Sequence, residues 1–151
     1  MSFESFISQL KEKANELKTE ALKFKNKDFL NAAMAGSALI ALADGSISAE
    51  EKQKMIRFIE TNDALSVFTT SDVIKAFQDY VGQLEFDTDI GEAKAYQALG
   101  KMKSNNDAAR LLLRMIIAIA SSDGNFDSSE KRVATKIARE LGLNPAEFEL
   151  A

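Results

Sequence analysis

A chain of 151 residues, 46% apolar and 28% charged, has globular proportions and length for one domain with a sizeable core, which excludes a disordered or low-complexity protein. Nineteen Lys and Arg against 23 Asp and Glu give a net charge of −4, with no basic arm, so a nucleic-acid backbone is a poor partner. Cys and His are both absent, which removes disulfides, thiol redox chemistry, thiolate or imidazole zinc sites and any His-based catalytic triad; only oxygen ligands remain.

One Pro, seven Gly and no β-branched alternation predict an all-α chain, a single compact domain of about seven helices over residues 1–151. Residues 1–25 form the first element, an amphipathic N-terminal helix packed on the body. It carries Phe3, Phe6, Ile7, Leu10, Ala14, Leu17 and Ala21 on one stripe, with Lys11, Lys13, Glu16, Lys18 and Glu20 between them. A solvated face over a core stripe accounts for it; a membrane-surface or partner-docking helix is the alternative. Glu4 stands where a leader needs basic residues, so no export signal is expected.

Asp28 is read as opening a second, Ala-rich helix through Phe29, Leu30, Ala33, Met34, Ala38, Leu39 and Leu42, stopped at Gly45. A third runs from about Ala49 to Asn62 with Met55, Ile56, Phe58 and Ile59 inward. Thr70-Ser71-Asp72 starts a fourth carrying Val73, Ile74, Phe77, Tyr80 and Val81. The acidic Glu85–Asp89 segment separates it from a weaker helix, Ile90 to Met102, after which Asn106 or Asp107 caps an apolar helix from Ala108 to Ala120. Its run Leu111–Ala120 is broken by Arg114 and is far shorter than the roughly 20 apolar residues a bilayer span needs. Ser129 to Leu141 is the last long helix; Gly142 ends it, and Asn144-Pro145 begins a turn that pins Phe148 and Leu150 on the body.

One segment recurs. Asp44-Gly45-Ser46-Ile47-Ser48-Ala49-Glu50-Glu51-Lys52 has the skeleton of Asp123-Gly124-Asn125-Phe126-Asp127-Ser128-Ser129-Glu130-Lys131, each copy following an Ala-rich helix and leading into a charged one. The chain therefore holds two duplicated helix-loop-helix hairpins, which can pack their buried helices together and set their loops side by side. Gly45 and Gly124 suit helix ends, Ile47 and Phe126 suit loop anchors, and Ser48 with Glu51 and Asp127 with Glu130 form capping boxes. Asp44 and Asp123 are less easily explained, because a carboxylate at a helix C-terminus meets the negative end of the macrodipole. Either they bond loop N–H groups or they hold a cation.

If the loops meet, Asp44, Glu51, Asp123 and Glu130 crowd together, with Glu50 and Asp127 nearby, and a hard divalent cation such as Ca²⁺, Mg²⁺ or Mn²⁺ relieves the crowding. The site is not an EF-hand. Asp123, Asn125 and Asp127 match its first three ligand positions, yet Ser128 replaces the turn glycine and Ala134 stands where the bidentate Glu belongs.

The paired loops, the intervening Phe86-Asp87-Thr88-Asp89-Ile90-Gly91 and the closing Gly142-Leu143-Asn144-Pro145-Ala146-Glu147-Phe148 resemble the TerB tellurite-resistance family, which is related to the N-terminal domain of DjlA co-chaperones. The resemblance covers essentially the whole chain. It implies a seven-helix cytoplasmic domain with acidic loop residues that bind metal, carried here by Asp44, Glu51, Asp123 and Glu130. It also implies action beside a TerC-type membrane protein and TerD-type proteins, at the inner face of the membrane through such a partner. Direct tellurite chemistry is disfavoured, since thiols are missing and an acidic cluster repels an oxyanion. The expectation is a non-enzymatic, monomeric, metal-responsive adaptor; the alternatives are a metal-free interaction scaffold and a metal-dependent phosphoryl hydrolase.

Overall fold

Two helices of the chain are apolar nearly all round, and such helices are satisfied only when other helices cover them. In the computed structural model, which describes residues 2–13, 16, 18, 19, 22, 24, 26–61, 64–121 and 126–150, those two form the centre. The described elements are α1 (Phe3–Glu12), α2 (Lys27–Ala41), α3 (Ala49–Thr61), a 3₁₀ turn (Ala64–Val67), α4 (Thr70–Phe86), α5 (Thr88–Gly100), α6 (Asn106–Ala120), α7 (Ser128–Glu140) and a second 3₁₀ turn (Pro145–Phe148). The expected all-α class and seven α-helices are found among the described residues, with no strand.

Helix α2 is buried from Phe29 to Ile40 at every position but Asn31, and it packs against α4, α5, α6 and α7. It is the central rod. Helix α6 buries Leu111, Leu112, Leu113, Met115, Ile116 and Ile117 almost completely. Each such side chain contributes about 1.5–3 kcal/mol by leaving water. The two rods cross where Gly36 faces Ile116, whose side chain occupies the space a Cβ at position 36 would need. Helices α4 and α5 pack on α2 and on each other; of the second arms of the two hairpins, α3 packs on α4 and α6, and α7 packs on α2, α5 and α6. Their amphipathic stripes are short: Met55 and Ile59 in α3, Ala134, Ile137 and Ala138 in α7.

Several boundaries differ from the sequence reading. Helix α1 ends at Glu12, where Lys13 leaves helical angles (φ −102°, ψ 26°), instead of running on to Ala21; Ala14, Leu17 and Ala21 lie outside the described residues. The cap of α2 is Asn26, not Asp28: its Oδ1 accepts the Phe29 N–H at 2.8 Å. Likewise Asn105, one residue before the expected cap, accepts the Ala108 N–H at 3.1 Å. In both cases more than one capping residue stands near the helix start. Asn26 and Asn105 take the caps, and the later Asp28 and Asp107 fall in the first turn, where the macrodipole favours negative charge.

The expected acidic spacer between α4 and α5 shrinks to one residue. Asp87, extended at φ −153° and ψ 109°, ends α4 and caps α5 through its Oδ1, which accepts the Ile90 N–H at 3.1 Å. The sharp corner depends on Gly91, since a Cβ there would lie 2.6 Å from the Leu84 Cα and 2.7 Å from its nitrogen. At the other end of the chain, Gly142 takes the left-handed conformation (φ 74°), and the turn behind it buries Phe148 and Leu150, as expected.

Candidate functional site

The loop after α2 is shaped by local chemistry. Leu42 ends the helix, Gly45 turns the chain at φ 99°, and the Asp44 carboxylate curls back so that its Oδ1 accepts the Ser46 N–H at 3.2 Å. That bond is the local satisfaction open to a short Asp at an unfavourable helix end. Ile47, 8% exposed, anchors the loop in the core. Ser48 and Glu51 then cap α3 reciprocally: the Glu51 N–H donates to the Ser48 Oγ at 3.1 Å, and the Ser48 N–H donates to the Glu51 Oε1 at 3.2 Å.

The second loop repeats this entry. Asp127, the counterpart of Ser48, accepts the Glu130 N–H at 2.8 Å and donates its own N–H to the Glu130 Oε1 at 3.0 Å, a complete capping box at the start of α7. The cap here is Asp and not Ser, while Ser129 stands where the first copy has Glu50, so the two copies carry equal numbers of acidic residues. Phe126 anchors the loop against α1, with its ring 4.8 Å from that of Phe3, and the Lys131 ammonium lies 5.1 Å over the other partner, Phe3. Asp123, with Ser122, Gly124 and Asn125, lies outside the described residues.

The two loops meet. A cavity of about 200 Å³ is lined by Asp44 and Glu51 from the first hairpin and by Asp127 and Glu130 from the second, on an apolar floor that includes Ile40, Met55 and Ala120. Four of the five expected site residues therefore share one cavity, although 76 to 86 positions separate the members of the two pairs in the chain. Lys54 also lines it, one helical turn beyond Glu51, and its ammonium is 3.7 Å from Glu50 in an exposed i,i+4 pair. Sequence reasoning missed Lys54. The signal was present in its spacing, since positions 51, 54 and 55 share one face of α3.

In chemical type these donors suit a hard cation: all are carboxylate oxygens, and among the described lining residues the only basic group is the Lys54 ammonium. In position they do not form a closed cage, for no three acidic groups among the described residues converge as ion ligands. Each of the four carboxylates is already tied to a backbone N–H of its own loop. The arrangement holds negative charge at one place, and the nearby Ser48 hydroxyl accepts from the backbone of Glu51. No helix among the described residues is long and apolar enough to cross a membrane.

Comparison with known proteins agrees with this anatomy. The sequence profile of the family described as "Tellurite resistance protein TerB" matches residues 30–151, from the start of α2 through both hairpins and the closing turn. A "Tellurium resistance protein TerB" from an Alcaligenes species is 38% identical over 100 residues, covering 66% of this chain and 82% of that relative. No solved structure matches significantly. With both duplicated loops and the helices that carry them inside the matched region, the chain belongs to the TerB family of tellurite resistance proteins.

Proposed function

We propose that the two loops together bind a divalent cation, Ca²⁺, Mg²⁺ or Mn²⁺, and that the protein serves tellurite resistance without catalysis, as a metal-responsive adaptor. The observation that carries this reading is the convergence of Asp44, Glu51, Asp127 and Glu130 on one cavity from two separate hairpins. Asp123, the counterpart of Asp44 in the repeat, is the fifth member of the proposed set. A cation there neutralises carboxylates that belong to different hairpins, so its binding energy ties α2–α3 to α6–α7. The partners the family suggests are a TerC-type membrane protein and TerD-type proteins, met in the cytoplasm at the inner face of the membrane.

The test is calorimetric titration of chelator-stripped protein with each ion, beside an Asp44→Asn/Asp123→Asn double variant. Saturable binding lost in the variant is the expected result. No heat with any ion, under conditions where a calcium-binding control gives it, rejects the cation.

A metal-free scaffold is the second reading, favoured by the capping bonds that already engage all four carboxylates. It predicts a melting temperature indifferent to chelator, and an Asp44→Asn variant that melts higher because an unfavourable end charge is gone.

A further inference from the structure

Two large apolar side chains stand in solvent on either side of the α4–α5 break: Phe86 is 91% exposed and Ile90 54% exposed. A single exposed apolar residue is ordinary, but Phe86 ends a helix that buries Val73, Phe77, Val81 and Leu84, and it lies four residues from Ile90 across one corner. The corner is rigid. Gly91 brings α5 onto the backbone of Leu84, Asp87 caps α5, and the Lys52 ammonium holds the Glu85 carboxylate at 2.9 Å. The Phe86 ring and the Ile90 side chain are thus carried on a backbone that is closely packed beneath them.

The segment itself is acidic. From Glu85 to Glu92 the chain carries Glu85, Asp87, Asp89 and Glu92 and no basic residue. The Lys52–Glu85 pair also joins this corner to α3, whose preceding residue, Glu51, lines the carboxylate cavity.

We infer that the α4–α5 corner is a docking face for a basic, amphipathic polypeptide segment, whose apolar side chains cover Phe86 and Ile90 while its Lys or Arg residues meet Asp87, Asp89 and Glu92. Charge complementarity selects this occupant. A second copy of the chain would bring the same acidic rim against itself, and an anionic lipid surface would be repelled. The inference rests on the adaptor half of the proposed function and not on the cation.

The experiment is fluorescence anisotropy with a labelled synthetic helix bearing Leu on one face and Lys on the other, in the presence of chelator. A Phe86→Ser/Ile90→Ser variant keeps the net charge, and the exposure of both side chains leaves its thermal melt unchanged. It is expected to bind at least about tenfold more weakly than the parent. An Asp89→Asn/Glu92→Gln variant is expected to flatten the salt dependence of binding. The Asp44→Asn/Asp123→Asn variant is expected to bind the helix as the parent does, so failure of the cation site and failure of this face read out separately. Equal affinity of the parent and the Phe86/Ile90 variant overturns the inference. So does concentration-dependent self-association, or binding to phosphatidylglycerol vesicles, that the same variant abolishes.

Discussion

Asp127 is the residue at which folding and the proposed chemistry are hardest to separate, because its carboxylate both caps α7 and lines the cavity. Two substitutions part them. Asp127→Ala removes the cap and is expected to cost about 1 kcal/mol, whereas Asp127→Asn retains an equally good capping oxygen and removes only charge. Thermal melts should therefore drop for the first and hold for the second. Ion affinity, measured by calorimetry, should fall for both; an Asn variant that binds as tightly as the parent would take Asp127 out of the site.

Lys54 supplies the complementary test, since it brings a positive charge to the cavity lining. Lys54→Gln is expected to strengthen cation binding about fivefold, the equivalent of ~1 kcal/mol for an exposed charge. Unchanged affinity would place the ion away from α3.

At the scale of elements, the glycines of α4 and α5 make opposite predictions. Gly82 lies within α4 with nothing near the position of a Cβ, so Gly82→Ala gains helix propensity and should stabilise by about 0.5–1 kcal/mol. Gly91 has the Leu84 backbone at 2.6 Å, and backbone cannot step aside as a side-chain tip can. Gly91→Ala is expected to cost at least about 2 kcal/mol and to open the corner that presents Phe86. Chemical denaturation of the two variants side by side measures both signs. Helix α1 is an ordinary packed element of this fold. Phe3 and Leu10 are buried, Phe3 lies against Phe126 of the second loop, and Phe6 meets Phe148 edge-on at 6.1 Å. These contacts hold its first turns against the second loop and the closing turn.

At the scale of the molecule, two tyrosines among the described residues have shifted titrations. Burial raises Tyr80 above the ordinary phenol value, with the Asp79 carboxylate adding to it. Burial also raises Tyr96, with smaller contributions from Glu92 and Glu140. A raised folded value means the native state holds the phenol proton more tightly than the unfolded chain does. The resulting stability is present in full below the unfolded value near 10 and is lost as pH rises through the folded one. Denaturation midpoints should thus fall above pH 10, and a Tyr80→Phe/Tyr96→Phe variant should lose less over the same interval. An identical alkaline decline in the two proteins would assign it to lysines alone.

The sequence by itself determined the helical class, the order of the helices and the duplicated hairpins, because apolar period, Ala-rich runs and repeated Asp-Gly loops are local facts that do not depend on what packs where. It also determined both capping boxes and the left-handed turns at Gly45 and Gly142, which follow from a residue's own backbone and its neighbours three positions on. Competition among adjacent capping residues at Asn26 and Asn105, and the end of α1 at Glu12 without Gly or Pro, were beyond it. Only the tertiary structure decided that the loops share a cavity, because that follows from α2 and α6 packing through Gly36 and Ile116, a contact between residues 80 positions apart. Only it decided that Phe86 faces solvent. An aromatic at a helix end reads as core in a sequence, and its exposure is set by Gly91, which draws α5 onto the backbone of Leu84 and leaves the ring outside.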